Sequence, residues 1–419
     1  MSSASPARGA PDRAAPRQPS LGTGSGRLRL HQLVLVEVAA GLLLVAWTVD
    51  KLLLVPAAVV ALVLVLLAVL RRRQQPVVDW LVTAAALRRR QRLAKEPVPP
   101  GVNPSLAPAV ECDPALRTYA YVARDRREIG MVGDGTFLTA VLQVQAHDTP
   151  LRPMRGRNPL PLALLHDALE VDGIRLESVQ VVQHTQPAPA PHLPEQAAAA
   201  RSYGPLQELC GAPAVRLTWV ALKLHPELCA EAVAARGGGL QGAQRCLLRA
   251  ADQLASRLTG AGFSAKVLAE GELATAVATS ACASPLATTQ AGRSGTPVRR
   301  TAEVSRAWRC DDRWHTVYWI GRWPQLGPGA VPLPQVVALL TSMPALASTF
   351  SLTLTRGGGA GGGPSVSGYV RITGRSDTHL VSARKALERA ARGVRIGLVR
   401  LDREQLPGVL ATLPLGGAR

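Results

Sequence analysis

Residues 30–70 read LHQLVLVEVAAGLLLVAWTVDKLLLVPAAVVALVLVLLAVL, and the rest of the chain is read from this run. Leu30–Thr48 and Leu52–Leu70 are apolar stretches of about nineteen residues each, close to the ~20 residues a helix needs to cross ~30 Å of hydrocarbon. Val49-Asp50-Lys51 separates them, and Pro56 falls near the first turn of the second stretch, where a missing backbone donor costs least. A core helix does not stay apolar over such a length, and a cleaved leader is not followed by a second span of equal length. The expected structure is a transmembrane helical hairpin.

Arginine sets its orientation. Arg8, Arg13, Arg17, Arg27 and Arg29 precede the first span. Arg71, Arg72 and Arg73 follow the second, then Arg88, Arg89, Arg90, Arg92 and Lys95, whereas the connection holds only Lys51 beside Asp50. The positive-inside rule places both termini in the cytoplasm of a multi-pass protein of the cytoplasmic membrane. Fourteen Lys and Arg against four Asp and Glu in residues 1–95 supply +10 of the formal net charge of +19. The basic character is therefore concentrated beside the apolar run, which favours contact with membrane lipid over nucleic acid. Glu37, inside the first span, is read either as a polar contact to a partner helix or as a group hydrated near the cytoplasmic edge. Val77–Leu93, with Trp80 and Arg88–Arg90, fits an amphipathic helix on the inner leaflet or a plain continuation of the second span.

The remaining sequence alternates strand and helix patterns. The expected division is a disordered basic tail (1–29), the hairpin (30–70), a juxtamembrane helix and linker (71–108), and two cytoplasmic α+β halves (109–285 and 286–419). Aromatics are 4% against 47% hydrophobic residues, so Ala, Val and Leu must build the cores. In the first half, strands at Arg126–Val132 and Thr136–Gln145 flank Gly133-Asp134-Gly135, a tight-hairpin signal. A helix at Pro161–Glu170, a strand at Arg175–Gln183 and a Pro/Ala spacer at Pro187–Pro194 follow. Next come a strand at Ala214–Leu224, a helix at Leu240–Leu258, a strand at Ser264–Leu268 and a helix at Glu272–Thr279. After a loop at Thr288–Thr296, the same order recurs: strands Thr301–Arg309 and Trp314–Gly321, helix Leu333–Thr341, strands Thr349–Thr355 and Ser365–Thr373, helix Asp377–Arg392, strand Arg395–Leu401 and helix Arg403–Leu413. The class is α+β, with an internal duplication in topology rather than in sequence.

No residue constellation points to catalysis. Gly130–Gly135 sits between two strands, so it lacks the strand-to-helix context of a dinucleotide loop, and Gly357–Gly363 lacks the Lys-Ser/Thr of a phosphate loop. His166-Asp167, with Asp172 beyond, are neighbours that point to different sides of a helix. Cys310-Asp311-Asp312 with His315 resembles a nucleophile and base on paper but reads as a strand–turn–strand. The six cysteines (Cys112, Cys210, Cys229, Cys246, Cys282, Cys310) are widely spaced without CxxC, which fits buried reduced thiols rather than a metal centre or disulfide scaffold. Trp308, Trp314, Tyr318, Trp319 and Trp323 form an aromatic cluster suited to a core or a protein interface, with Trp308 and Trp314 expected to be neighbours across the turn. No catalytic, cofactor-binding or metal-binding residue is assigned, and no cofactor or small-molecule substrate is expected.

The order of these features resembles the EccE family of the type VII (ESX) secretion machinery, from roughly Leu28 to the C-terminus. The resemblance rests on the two closely spaced spans, on Ile129-Gly-Met-Val-Gly-Asp-Gly135 followed by Leu138–Val144, and on Leu217-Thr-Trp-Val-Ala-Leu-Lys-Leu-His-Pro226 with Arg236-Gly-Gly-Gly239. Arg313-Trp-His-Thr-Val-Tyr-Trp319 leading to Trp323-Pro324 completes it. It implies a structural, non-enzymatic subunit of an inner-membrane core complex, with EccB, EccC, EccD and the mycosin protease as partners. The alternatives are a membrane-tethered cytoplasmic enzyme and a nucleic-acid-binding protein.

Overall fold

The computed structural model describes residues 30–49, 54–69, 71–72, 75–99, 101–146, 159–186, 197–198, 201–202, 215–294, 298–325, 331–357 and 365–417. The N-terminal tail, the Pro187–Pro194 spacer, Cys210 and most of the Gly357–Gly363 loop lie outside these residues. The chain divides into two compact units, Ser20–Glu96 and Pro97–Arg419.

The first unit holds helices α1 (Leu30–Val49), α2 (Leu54–Val69) and α3 (Val77–Leu93). α1 and α2 fall on the two apolar stretches of the run; Asp50 and Lys51, expected to separate them, lie outside the described residues. Their side chains are distributed inside out: Ala39, Ala46, Ala57 and Ala61 are buried, while Leu44 (68%), Trp47 (69%) and Val55 (72%) are exposed. Among the described residues no helix is long and apolar enough to cross a membrane; α2 has 16 residues, and the side chains of α1 are described only from Glu37 to Thr48.

The second unit is built on one twelve-stranded antiparallel sheet. Its strands are β1 (Arg117–Val122), β2 (Glu128–Gly133), β3 (Leu138–Ala146), β4 (Ser178–Gln186), β5 (Val215–Leu224), β6 (Phe263–Val267), β7 (Thr301–Glu303), β8 (Trp308–Cys310), β9 (Arg313–Arg322), β10 (Ala347–Thr355), β11 (Ser365–Gly374) and β12 (Gly397–Arg400). The spatial order is β7-β8-β9-β11-β10-β4-β5-β3-β2-β1, with β6 on β3 and β12 on β9. Six strands ordered 1-2-3-5-4, with the sixth on the third, therefore occur twice, and the halves meet through the β4–β10 ladder, from Ser178↔Thr355 to Thr185↔Ser348.

Strand alternation gives the sheet two different faces. One face points Val179 and Val181, Val220 and Leu222, Phe350 and Leu352, and Val370 and Ile372 into a single apolar core. Helices α5 (Leu162–Asp167), α6 (Gly239–Gly260), α9 (Leu333–Thr341) and α10 (Asp377–Gly393) cover it. The opposite face carries Thr139, Gln180, His184, Thr349, Ser351, Arg371 and Thr373, all buried. Helices α4 (Ala107–Cys112), α7 (Glu270–Ser280) and α11 (Gln405–Thr412) lie on this second side around a smaller apolar cluster.

Several sequence expectations need correction. The linker expected to end at Pro108 instead enters α4, because Leu106, Ala109 and Val110 are apolar and bury on the second face. Glu111 then fixes α4 to β7: its carboxylate accepts from the Arg300 (2.9 Å) and Thr301 (2.7 Å) backbone N–H groups. The loop expected at Thr288–Thr296 is largely a helix, α8 (Pro285–Ser294), with Pro285 at its first position, where proline is tolerated. Thr301–Arg309 is not one strand: a turn closed by Val304 N–H to Ala307 O (2.9 Å) splits it into β7 and β8. Strand β1, the short helix Ala230–Ala235 and a two-residue ladder (Glu170–Val171 with Ile174–Arg175) were not expected. Trp308 and Trp314 are not paired either. Trp308 opposes His315 and Trp314 opposes Arg309, so alternation sends the two indoles to opposite faces.

The β2–β3 hairpin forms as expected, with Met131 opposite Ala140 and Gly133 opposite Leu138. Asp134 Oδ1 accepts from the Thr136 and Phe137 N–H groups, and Gly135 sits at φ 94°. Gly130 lies where the start of α7 crosses β2: a Cβ there would stand 2.5 Å from Glu270 Cα. Gly130→Ala is therefore expected to destabilise the fold by about 1–3 kcal/mol through overpacking against backbone. Gly271→Ala, with open space at its Cβ position, is expected to be neutral in the same urea titration followed by tryptophan fluorescence.

Candidate functional site: a buried polar seam

A sheet face rich in hydroxyls, amides and a guanidinium is stable only if each polar group finds a partner. On the second face those partners are helix-terminal carbonyls. The last carbonyls of a helix have no intrahelical donor and carry the negative end of its dipole. α7 ends at Ser280 and α11 at Thr412, and both termini meet the seam. The Arg371 guanidinium donates through Nη2 to Ser280 O, to Ser280 Oγ (3.3 Å) and to Thr349 Oγ1 (3.3 Å). The Ser280 hydroxyl donates in turn to Thr412 O at 3.3 Å, joining the two helix ends. Gln180 Nε2 and Ser351 Oγ donate to Ala411 O at 2.9 and 2.8 Å.

Beyond α11, the segment Leu413–Gly417 runs as a strap onto strands of the first half. Thr139 Oγ1 donates to Leu415 O (3.1 Å), Ser178 Oγ to Gly416 O (2.6 Å), and Gly416 N–H to Gln180 Oε1 (2.8 Å). Gly416 at φ 94° lies against Lys223 and Gly417 at φ 85° against Thr353, so the strap passes where a side chain would be both strained and obstructed.

Two histidines flank Arg371. His184 Nδ1 contacts Thr349 Oγ1 at 2.9 Å and its Nε2 contacts Gln186 Nε2 at 3.1 Å. An Nδ1–H donating to the threonine and an Nε2 lone pair accepting from the amide satisfy both contacts. His315 Nδ1 contacts Thr373 Oγ1 at 3.0 Å, and its ring lies 4.9 Å from that of Trp308. Burial, with the Arg371 charge second, drops His184 to about 3. The same two causes hold His315 well below the usual histidine range. Both imidazoles are neutral at physiological pH, and burial keeps the nearby Cys282 and Cys310 as protonated thiols. Arg371 is a buried cation held at Nη2 by a helix terminus and hydroxyls, while its Nε and Nη1 have no hydrogen-bond partner among the described residues.

The residues singled out from the sequence are dispersed. His166 and Asp167 are exposed on α5, where Asp167 pairs with Arg257 at 3.4 Å. They line an open depression of about 570 Å3 with Glu170, Gln253 and Arg356. Asp172 pairs with Arg249 at 2.8 Å. Asp311 turns β8 into β9 at φ 52° and forms a buried pair with Arg300 (2.7 Å); Cys310 is a protonated thiol and His315 is engaged with Thr373, so the two are not a nucleophile–base couple. Trp308 and Tyr318 are core residues, and Tyr318 donates to Glu388 Oε1 at 2.6 Å. Trp323 covers Gly368 and meets Phe350 edge-on at 6.5 Å. Arg371 and His184 escaped the sequence reading; the only signal for Arg371 was a lone charge inside Gly368-Tyr-Val-Arg-Ile-Thr373.

Residues 212–320 match the family model described as "EccE: Putative type VII ESX secretion system translocon, EccE". The EccE resemblance is borne out. The matched stretch, roughly a quarter of the chain, runs from the start of β5 through α6, α7 and α8 into β9, so it contains Ser280, Cys282 and His315 of the seam. No curated protein matches the chain.

The neutral histidines make stability pH-dependent. Between pH 7.5 and 5 the unfolded chain takes up a proton at position 184 and the folded chain does not, because the folded pKa is depressed. Stability is therefore retained above the unfolded value and lost as pH falls toward about 3. At pH 5 the loss from this one group is expected to be about 2 kcal/mol. His184→Gln should flatten that part of the pH profile in urea titrations. Truncation after Thr412 removes the partners of Thr139, Ser178 and Gln180; at ~1–3 kcal/mol per buried unpaired group, an early unfolding transition is expected.

Proposed function

We propose that the protein is a structural subunit of the inner-membrane core of a type VII secretion translocon, anchored by α1 and α2, with Pro97–Arg419 on the cytoplasmic side. The observation that carries this reading is the EccE match over residues 212–320. The anchoring is supported by the helix pair, which buries alanines and presents Leu44, Trp47 and Val55 outward. That distribution suits lipid as solvent, where small residues let helices approach closely. The arginines on both flanks support termini on the cytoplasmic side. In this reading the seam holds the cytoplasmic unit rigid rather than turning over a substrate. The partners are other membrane subunits of the translocon, for which EccB, EccC, EccD and the mycosin protease are the candidates.

Affinity purification of the full chain from membranes in mild detergent is expected to recover several membrane partners in stable ratio; recovery of a lone monomer under conditions that preserve its fold would sink the assembly role. A fluorescent or enzymatic reporter fused after Arg419 is expected to be inaccessible to impermeant reagents in intact cells. Accessibility from outside would reverse the orientation.

A further inference from the structure

The duplicated strand order supplies an internal comparison. α6 and α10 each follow the fifth strand of their half and pack on the apolar face. Around α6, Arg249 pairs with Asp172 at 2.8 Å, Arg257 with Asp167 at 3.4 Å, and neighbouring Arg127 with Asp252 at 3.1 Å, whereas exposed Arg245 donates to the Arg236 carbonyl at 2.8 Å. α10 differs. It buries Leu380, Ala383, Leu387 and Ala391, and its outer side carries Lys385, Arg389 and Arg392, followed in the next turn by Arg395 at φ 58°, all four exposed. Among the described residues none of the four makes an ion pair with a carboxylate. Arg389 and Arg392 donate only to the Lys385 and Glu388 carbonyls of their own helix, at 3.3 and 3.2 Å. The one acid within the stripe, Glu388, is turned inward to accept from Tyr318.

Positions i, i+4 and i+7 place three like charges along one side of a helix over about 10 Å, where they repel one another. No fold contact explains such a row. We propose that Lys385, Arg389, Arg392 and Arg395 form a docking surface for anionic phospholipid headgroups. This inference rests on the anchoring reading above, which keeps a bilayer within reach of this unit. Charge complementarity favours lipid: long cationic arms on a convex helix meet a planar anionic surface without needing a fixed pocket. Residues 385–395 contain no aromatic side chain, so the stripe lacks the stacking groups that bind single-stranded nucleic acid.

The test uses the full chain in nanodiscs of phosphatidylcholine alone or mixed with phosphatidylglycerol. A photo-crosslinking residue, p-benzoylphenylalanine, replaces exposed Ser382 on the same side of α10. Lipid adducts detected by mass spectrometry are expected in the anionic discs and near background in the neutral ones. They should decline with added salt. With roughly fivefold lost per cation removed, K385Q/R389Q/R392Q should lower the adduct yield by about a hundredfold. Equal yields in both discs, or a yield unmoved by the triple variant, would overturn the proposal. So would nuclease-sensitive nucleic acid held by the stripe in place of lipid. Co-migration of the chain with discs scores the anchoring separately. Should the chain leave the discs, anchoring fails, and adducts with added phosphatidylglycerol vesicles still decide the stripe.

Discussion

The hydrogen bonds between the second face of the sheet and the carboxyl ends of α7 and α11 are the constraint on which the rest of the unit depends. A sheet covered on both sides could have been apolar on both. Here one side is built from Thr, Ser, Gln, His and Arg, and burial of each such group without a partner is costly. The helix ends supply acceptors in fixed positions. Arg371 is held by one of them, Gln180 and Ser351 by the other, and the Ser280 hydroxyl couples the two. An arginine in a strand interior, which in isolation reads as an error, is tied into the face through Nη2 by Ser280 O.

This arrangement divides labour between the faces. The apolar face contributes area, with Val, Leu, Ile and Phe packed under amphipathic α6 and α10. The polar face contributes selectivity of register. A slip of one residue along β10 would bring Phe350 and Leu352 to the seam and bury Thr349 and Ser351 among aliphatics, losing on both sides at once. The central β4–β10 ladder, on which both halves rely, is thereby pinned from above and below.

Much of the architecture was legible in the sequence because period and turn chemistry agreed. Leu333–Thr341 and Asp377–Gly393 have capping prolines or serines and amphipathic spacing, and the Gly133–Gly135 hairpin has its Asx turn. Apart from Thr301–Arg309, which is two strands, the expected strands in both halves lie within a few residues of those found. What could not be read was decided by tertiary context. Ala107–Cys112 is too short and Pro-bounded to announce a helix, and it forms because the second face offers it a place. Trp308 and Trp314 were assumed to meet because they straddle a turn, but the two-residue turn at Asp311-Asp312 fixes a register that separates them. The seam was the least legible of all. Its members come from five strands and two helix ends, and serine or threonine in a strand gives no sign that its partner is a carbonyl more than two hundred residues away.

The strap from Leu413 to Gly417 has a consequence for biosynthesis. It belongs by sequence to the second half but is held by Thr139, Ser178 and Gln180 of the first. The sheet therefore keeps an unclosed polar face until Gly417 has been synthesised. A chain stalled before Leu415 would carry both sets of strands with Thr139 and Ser178 still lacking the carbonyls that receive their hydroxyls.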